Sequence, residues 1–453
     1  MPILLLFKPP GKREHTGGEI MRKKVVSLLT VMALAIATLA GCASSTDTNA
    51  TTGTEAATEA TDEAAADDAA VEETADAEEA TEDAAQVTGV KAGFIFLHDS
   101  TYDLNFLNAA KEACEKLGIE YLIKTNIPEG QECYDAACEL ADAGCNFIFA
   151  DSFGHESYMI EAAQKYPDVE FCHATGTRAH TEGLDNYHNA FASIYEGRYL
   201  AGVAAGLKLN EMIENGNFSA EDAVIGYVGA YTYAEVISGY TSFFLGAQSV
   251  CPTATMKVQF TGEWYDEAAE KEAANALIAS GCKLISQHAD SMGAPTACEA
   301  AGVPNVSYNG STVESCPNTF IVSSAINWAP YMEYIINCAM NGDKIDTDWV
   351  GDISTNSVVL SDINTAAAAE GTAEKLAEVK EELENGTLHV FDVTKFTVDG
   401  KQLDSYMADV DTDPDYTPDT EAIVDGYFAE STFRSAPYFQ LQIDGITLLD
   451  QAF

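Results

Sequence analysis

The chain has 453 residues, with 72 acidic against 23 basic side chains and a formal net charge of −49 at pH 7. So large an acidic excess excludes nucleic acid as a partner, because no basic surface is available to neutralise phosphates. The eleven cysteines contain no Cys-x-x-Cys pair and no Cys/His ligand spacing, so we predict neither a metal site nor a cofactor.

Residues 21–41 have the layout of a secretory signal peptide, in which basic residues precede an apolar run too short to span a membrane. The run ends in Leu39-Ala40-Gly41-Cys42, which resembles the cleavage site of a bacterial lipoprotein. That resemblance implies a lipid on Cys42 and a location on the extracytoplasmic face of the cell membrane. An uncleaved anchor or an ordinary signal peptide is the alternative. Residues 1–20 add nothing to this signal, so we expect Met21 to be the true start.

Residues 42–87 are expected to be the lipidated cysteine and a disordered acidic linker. From Ala43 to Gln86 the sequence contains fourteen acidic residues, no Lys or Arg, and no aromatic residue. Such a segment cannot bury enough apolar surface to fold, and its charges repel one another. The body that follows is too long for a single hydrophobic core, so two lobes are expected.

The body alternates short apolar runs with segments of helical periodicity, which is typical of parallel sheets covered by helices on both faces. We predict strands at 93–97, 147–150, 170–174, 224–228, 256–260, 284–288 and 305–308. The intervening helices are predicted at 105–117, 158–165, 195–209, 234–249 and 266–279. The predicted fold class is therefore α/β, with two doubly wound parallel-sheet lobes.

Ten cysteines follow Cys42, and most of them lie in apolar or helical segments. A free cysteine in such a position behaves as a small hydrophobic residue, so we predict that most are reduced. Disulfides are the alternative, because exported proteins commonly form them.

In open parallel sheets, ligands bind beyond the carboxyl ends of the strands. The residues that follow the predicted strands are rich in aromatic and acidic side chains and almost lack cations. They are 98–103, 151–154, 175–176, 230–231, 264–266, 288–291 and 309–310. Such a set offers stacking surfaces and hydrogen-bond acceptors to a ligand.

Several motifs occur in order along the body. They are Ser152-Phe153-Gly154, Tyr166-Pro167-Asp168, His173-Ala174-Thr175-Gly176, Tyr195 to Gly202, Ile225-Gly226-Tyr227-Val228, Glu235-Val236-Ile237 and Gln287 to Ser291. Together they resemble the basic membrane protein family, the purine-nucleoside-receptor-like lipoproteins of ABC importers, over about residues 91–351. The resemblance implies a type I periplasmic-binding-protein fold with a three-strand hinge, a ligand in the interlobe cleft, an ABC permease as partner and a monomeric state.

On this fold, residues 88–190 and about 311–365 are expected to form the first lobe, and residues 191–310 the second. Residues 366–453 are expected to be a C-terminal extension that packs on the lobes.

The resemblance also implies which residues bind the ligand. The family's two stacking aromatic residues fall on Tyr102 and Trp264, and Asp103 follows Tyr102 where an Asn is common. A polar contact after a strand of the first lobe falls on Asp151 or Ser152. Phe153, the next residue, is expected at the same edge of the sheet.

Two positions depart from the family pattern. Asn309 stands where an Asp is expected, and Asn327 stands where some members have a ribose-contacting Lys. These changes weaken the expectation of a sugar contact more than that of a base contact. Asp290, like Asp151 and Asn309, is expected to pair with ring or exocyclic nitrogens. Trp328 is expected near the cleft.

We therefore predict a protein that binds a purine base or nucleoside and is not an enzyme. An extracellular nucleoside-processing enzyme is one alternative, although the sequence has no Gly-x-Ser-x-Gly, no metal-spaced histidines and no phosphate-binding glycine loop. A sugar- or signal-binding receptor with the same fold is the other.

Overall fold

A computed structural model of the chain describes residues 89–98, 101–410 and 417–453. The predicted signal peptide, Cys42 and the acidic linker up to residue 87 lie outside the described residues. The helices, numbered α1 to α10, are Thr101–Leu117, Gln131–Asp142, Glu156–Lys165, Ala179–Glu182, Ile194–Glu214, Ala234–Val250, Glu267–Ala279, Gly293–Ala301, Ala329–Asn341 and Thr372–Glu384.

The strands, numbered β1 to β17, are Lys91–Ile95, Glu120–Lys124, Phe147–Ala150, Glu170–Ala174, Tyr187–Ala192, Val224–Gly229, Thr255–Phe260, Leu284–His288, Asn305–Tyr308, Phe320–Ile326, Asp348–Gly351, Val358–Leu360, Met407–Ala408, Thr420–Glu421, Ile423–Val424, Tyr427–Phe428 and Ile446–Leu448. The predicted strands and helices are all confirmed, with bounds that differ by a few residues.

Six parallel strands form the sheet of the first lobe, in the order β11-β5-β4-β3-β1-β2. Every residue of β3 and of β5 is buried. Strands buried on both faces of a parallel sheet have unbroken apolar runs, because helices cover each face. Helices α1, α2, α3 and α9 pack in this lobe.

Seven strands form the sheet of the second lobe, in the order β12-β10-β9-β8-β6-β7-β17, and only β12 runs antiparallel to its neighbour. This pairing corrects part of one prediction, which placed about residues 311–365 in the first lobe; α9 and β11 of that range do lie in the first lobe. Strand β10 pairs with β9, and β12 pairs with β10, so both belong to the second lobe. The chain passes between the two sheets after β5, β10 and β11.

Helices α5 and α6 pack closely in the second lobe. A Cβ atom on Gly202 would collide with the carbonyl oxygen of Phe243, and one on Gly246 would collide with that of Tyr199. Glycine permits this approach of two backbones because it lacks a Cβ atom. Among the described residues, every helix is too short or too polar to cross a membrane.

The ten cysteines of the described residues are all buried and unpaired. Burial raises the pKa of the Cys145 thiol to about 11 and the pKa values of Cys114 and Cys172 to about 12. These thiols are therefore protonated at neutral pH, and they pack as small apolar groups.

Candidate functional site

A cavity of about 520 Å³ lies between the lobes, at the carboxyl ends of both sheets. We call its lining from the first lobe the first wall, which consists of Leu97, His98, Tyr102, Asp103, Asn126, Pro128, Glu129, Ser152, Phe153, Gly154 and Thr175. The lining from the second lobe is the second wall, which consists of Tyr231, Tyr233, Glu235, Glu263, Trp264, Tyr265, His288, Asp290 and Tyr308. The cavity therefore lies where open parallel sheets place their ligands.

The cavity lining is aromatic and acidic. Seven lining side chains are Tyr, Phe or Trp and five are Asp or Glu, and none of the described lining residues is Lys or Arg. Of the ten predicted ligand-binding residues, six lie in this lining: Tyr102, Asp103, Ser152, Phe153, Trp264 and Asp290.

Asp151 lies directly behind the first wall. Its side chain is completely buried, and its Oδ1 accepts a hydrogen bond of 3.2 Å from the Leu97 amide. Burial raises the pKa of Asp151 well above its ordinary value, and the charge of Asp103 and a hydrogen bond between the two side chains raise it further. The protonated form of Asp151 is therefore favoured over that of an exposed aspartate.

Two more contacts hold this part of the first wall. Asp103 Oδ1 accepts a hydrogen bond of 2.9 Å from the His98 amide, and the Tyr102 hydroxyl donates one of 3.2 Å to the Asp151 carbonyl. His155 Nδ1 lies 3.9 Å from Asp151 Oδ1, but burial lowers the pKa of His155 to about 4. The histidine is thus neutral at neutral pH and forms no ion pair with Asp151.

Glu129 is a first-wall residue that the sequence analysis missed. Its Oε1 accepts hydrogen bonds from the Ser152 hydroxyl at 2.6 Å and from the Gly154 amide at 2.8 Å. Glu129 follows β2, an edge strand that the sequence pattern did not predict. The expectation that ligands bind beyond strand ends therefore did not point to Glu129. Recognition of the short run from Glu120 to Lys124 as a strand would have found this residue.

The second wall is a cluster of aromatic rings. Tyr231 and Tyr233 stack with ring centroids 5.0 Å apart, and Trp264 meets the ring of Tyr231 edge-on at 5.3 Å. Phe153 of the first wall faces Tyr233 across the cleft at 6.1 Å. Tyr231 lies two residues after β6 and Trp264 four residues after β7, both within the ligand-site ranges predicted from the sequence. Tyr233 and Glu235 lie beyond the predicted range 230–231.

Asp290 supplies a carboxyl group to the second wall. Burial raises its pKa well above the ordinary value, and the neighbouring Glu270, Glu235 and Asp103 add to the increase. Asn309 donates a hydrogen bond of 3.2 Å from Nδ2 to Asp290 Oδ1. Asn309 therefore lies behind the lining and orients Asp290, instead of facing the cavity itself.

Glu270 holds two loops of the second wall through hydrogen bonds to their backbone. Its carboxyl oxygens accept hydrogen bonds of 3.2 and 3.3 Å from the Ser291 amide and one of 3.3 Å from the Asp266 amide. These amides flank the loops that carry Asp290 and Trp264. Glu270 is buried, which raises its pKa to about 7.

A buried arginine lies behind the second wall. The Arg198 guanidinium carbon lies 3.4 Å from the centroid of the Tyr308 ring, and its Nη1 donates a hydrogen bond of 2.9 Å to the Gln287 carbonyl. Burial and the charge of Arg198 lower the pKa of His288 to about 4, although His288 Nε2 lies 3.3 Å from Glu235 Oε1. His288 is therefore neutral at neutral pH, and Tyr308 separates the arginine from the cavity.

Four predicted ligand-binding residues lie outside the cavity lining: Asp151 and Asn309, described above, and Trp328 and Asn327. Trp328 is only 2% exposed, and its ring stacks on Phe106 at 4.3 Å in the core of the first lobe. Asn327 lies where the chain passes between the lobes, and its Nδ2 donates to the Asn356 carbonyl at 2.9 Å. Among the described residues, no group of three His, Cys, Asp or Glu side chains is placed to hold a metal ion.

The PnrA-like ABC transporter substrate-binding proteins, the Bmp family, match residues 90–390 of the chain. The chain belongs to this family. As a Bmp protein it is a substrate-binding protein of an ABC transporter, a class that works outside the cytoplasm and presents a small molecule to a permease.

Two relatives of this chain differ in the ligand that their names give. A purine-binding protein of Brucella abortus is 34% identical over 247 residues, which are 53% of this chain and 66% of that protein. A putative ABC transporter glucose-binding protein of Haloferax volcanii is 30% identical over 300 residues, which are 66% of this chain and 70% of that protein.

Solved structures share the fold. A solute-binding protein of an ABC transporter from Conexibacter woesei has a TM-score of 0.55 and 18% identity, over 66% of this chain and 98% of that one. Another from Aeropyrum pernix has a TM-score of 0.56 and 15% identity, over 67% of this chain and 93% of that one. The predicted periplasmic-binding-protein fold is thereby confirmed.

Proposed function

We propose that this Bmp protein binds a purine base or nucleoside between the two walls and delivers it to an ABC importer. The observation that carries the proposal is the cluster of aromatic rings on the second wall together with the Asp290 carboxyl group at the cavity. The cavity volume of about 520 Å³ falls in the range of small-molecule sites. The similarity to a purine-binding protein of Brucella abortus supports the same ligand class.

Aromatic faces suit a purine because a flat base stacks on them, with a gain of about 1–3 kcal/mol per base. Trp264 and Tyr231 on the second wall and Tyr102 on the first wall offer such faces. The stacking energy depends little on which base is bound. Discrimination between purines must therefore come from hydrogen bonds to the polar groups of the cavity.

A protonated carboxyl group offers both an O–H donor and a carbonyl acceptor. The raised pKa of Asp290 favours this protonated form at the cavity. Purine edges combine ring nitrogens that accept hydrogen bonds with N–H groups that donate them. A protonated Asp290 can pair with either kind of group. Asn327 lies away from the cavity lining, which favours a base over a nucleoside as the better ligand.

A ligand panel tests the proposal. The protein is titrated calorimetrically with adenine, guanine, hypoxanthine, their nucleosides and glucose, and thermal unfolding is followed with each. A bound ligand at 100 times its Kd stabilises the folded state by about 2.7 kcal/mol. We expect a purine to bind, and binding of glucose alone would contradict the proposal. Chromatography of the same mixtures tests the enzyme alternative, which requires a product.

We also propose that a lipid on Cys42 holds the protein at the extracytoplasmic face of the membrane. The support is the sequence from Leu39 to Cys42 and the acidic segment that follows. Mass spectrometry of the mature N-terminus tests this, because a lipidated Cys42 carries the mass of two acyl chains. A mature chain that begins elsewhere would contradict the anchor.

A further inference from the structure

The last residues of the chain form an edge of the second sheet, outside residues 90–390 that match the family. Ile446–Leu448 pairs in parallel with β7. The pairing continues beyond the strand, where the Leu449 amide donates to the Val258 carbonyl at 2.8 Å and Asp450 Oδ1 accepts from the Phe260 amide at 2.7 Å. The segment is thus fixed to β7 up to the point where the cavity loop begins.

The same segment then contacts the loop that follows β6. The Thr232 amide donates to the Ala452 carbonyl at 2.8 Å, and the Ala452 amide donates to Thr232 Oγ1 at 3.0 Å. Thr232 lies between Tyr231 and Tyr233, the stacked pair of the second wall. Ala452 therefore holds the backbone that carries both rings.

The two cavity loops are also joined to each other. The Gly262 amide donates to the Ala230 carbonyl at 2.9 Å, and a Cβ atom on Gly262 would lie 3.8 Å from the Ala452 Cβ. Gly262 has a φ of +81°, which glycine adopts without strain. Trp264 follows two residues later. The segment from Ile446 to Ala452 thus touches both loops that carry the aromatic cluster.

We propose that residues 446–452 are a positioning element that holds the aromatic rings of the second wall in place before a ligand arrives. Loops with few internal contacts open at low free-energy cost. Fixing such loops beforehand reduces the ordering cost of binding. The consequence for affinity rests on the proposed purine function, whereas the consequence for loop order does not.

Amide hydrogen exchange of the ligand-free protein tests the positioning role, with Asp450→Ala as the variant. This variant lacks the acceptor for the Phe260 amide. We expect the amide exchange rates of residues 230–234 and 260–265 to rise about tenfold. Exchange in residues 147–150 of the first lobe is expected to stay unchanged. Asp450→Asn keeps an oxygen acceptor and is expected to restore slow exchange, and Phe453→Ala, at a side chain that is 80% exposed, is the matched control.

Two results would overturn the inference. Unchanged exchange in both loops of Asp450→Ala would show that they need no support from the segment. An equal rise in both lobes would show a general loss of stability instead of a local one.

Adenine binding gives the functional readout. Asp450→Ala is expected to bind adenine about tenfold more weakly, mainly through faster dissociation, while Asp450→Asn binds nearly as the wild type does. If the wild type binds no purine, the proposed function fails, and the exchange measurement still decides the positioning role. Wild-type affinity in Asp450→Ala would overturn the link between the segment and binding.

Discussion

The first wall and the second wall hold their side chains at the cavity in different ways. The first wall presents carboxyl and hydroxyl groups fixed by hydrogen bonds, as Asp103 and Ser152 are. The second wall presents aromatic faces on loops that other segments hold in place. The second wall holds most of the rings together with the Asp290 carboxyl group, and the first wall adds Tyr102, Asp103 and Ser152. A ligand therefore contacts the complete set only when the lobes meet around it.

The buried acid beneath the second wall gives the largest expected effect. The pKa of Glu270 is about 7 in the folded protein and near 4.5 in an unfolded chain. The folded state binds this proton more tightly than the unfolded chain does. Protonation of Glu270 therefore stabilises the folded state at low pH, and this stabilisation is lost as the pH rises from about 4.5 to 7. Glu270→Gln removes this titration and keeps a carbonyl acceptor.

Urea unfolding at pH 5 and pH 8 measures the Glu270 effect. Between these pH values, the free energy of unfolding of the wild type is expected to fall by about 2–3 kcal/mol more than that of Glu270→Gln. The same change with pH in both proteins would show that Glu270 ionises normally.

Trp264→Leu tests the aromatic character of the second wall. Loss of one stacking surface is expected to weaken adenine binding by about 10-fold to 100-fold. Trp349→Leu is the matched control, because Trp349 is half-buried against Tyr331 and does not line the cavity. Equal affinity in the two variants would mean that Trp264 contributes no stacking.

Substitutions at Asp151 test whether the carboxyl group behind the first wall is neutral. Asp151→Asn resembles the protonated acid, because its amide donates to Asp103 and its oxygen accepts from the Leu97 amide. We expect it to bind adenine within about threefold of the wild type. Asp151→Ala leaves both partners unsatisfied and is expected to weaken binding about tenfold. A strong loss in Asp151→Asn would indicate that Asp151 is ionised.

Tyr265 gives the smallest expected effect. Its side chain lines the cavity but is 51% exposed. A ring with that much water contact gains little from a ligand, so Tyr265→Ala is expected to change adenine affinity less than about threefold. A loss as large as that of Trp264→Leu would extend the stacking surface of the second wall to the rim of the cavity.

Much of this fold was predictable because the central strands are continuous apolar runs. Strands such as Phe147–Ala150 are buried on both faces and differ clearly from the helices beside them. Edge strands give a weaker signal. Glu120–Lys124 carries a charge at each end, lies at the edge of the first sheet and was missed. Strand β10 was assigned to the wrong lobe, since hydrogen-bonded neighbours are not visible in a sequence.

The candidate site was predictable where its residues follow strands. Tyr102, Trp264 and Asp290 lie in the predicted strand-end ranges, the family resemblance singled out Tyr102 and Trp264, and all three line the cavity. Trp328 also follows a strand, but α9 begins there and its ring turns into the core. The C-terminal segment was not connected to the site, because hydrogen bonds such as that between Asp450 and Phe260 join residues far apart in sequence.

The buried cysteines make the unfolding of each lobe chemically measurable. At neutral pH, a thiol with a pKa of about 11, such as that of Cys145, is ionised in only about one molecule in ten thousand. Alkylating reagents need the thiolate, so they react with the folded protein slowly. Cys145 lies beside β3 in the first lobe, whereas Cys298 lies in α8 of the second. The order in which these cysteines become alkylated therefore reports which lobe opens first.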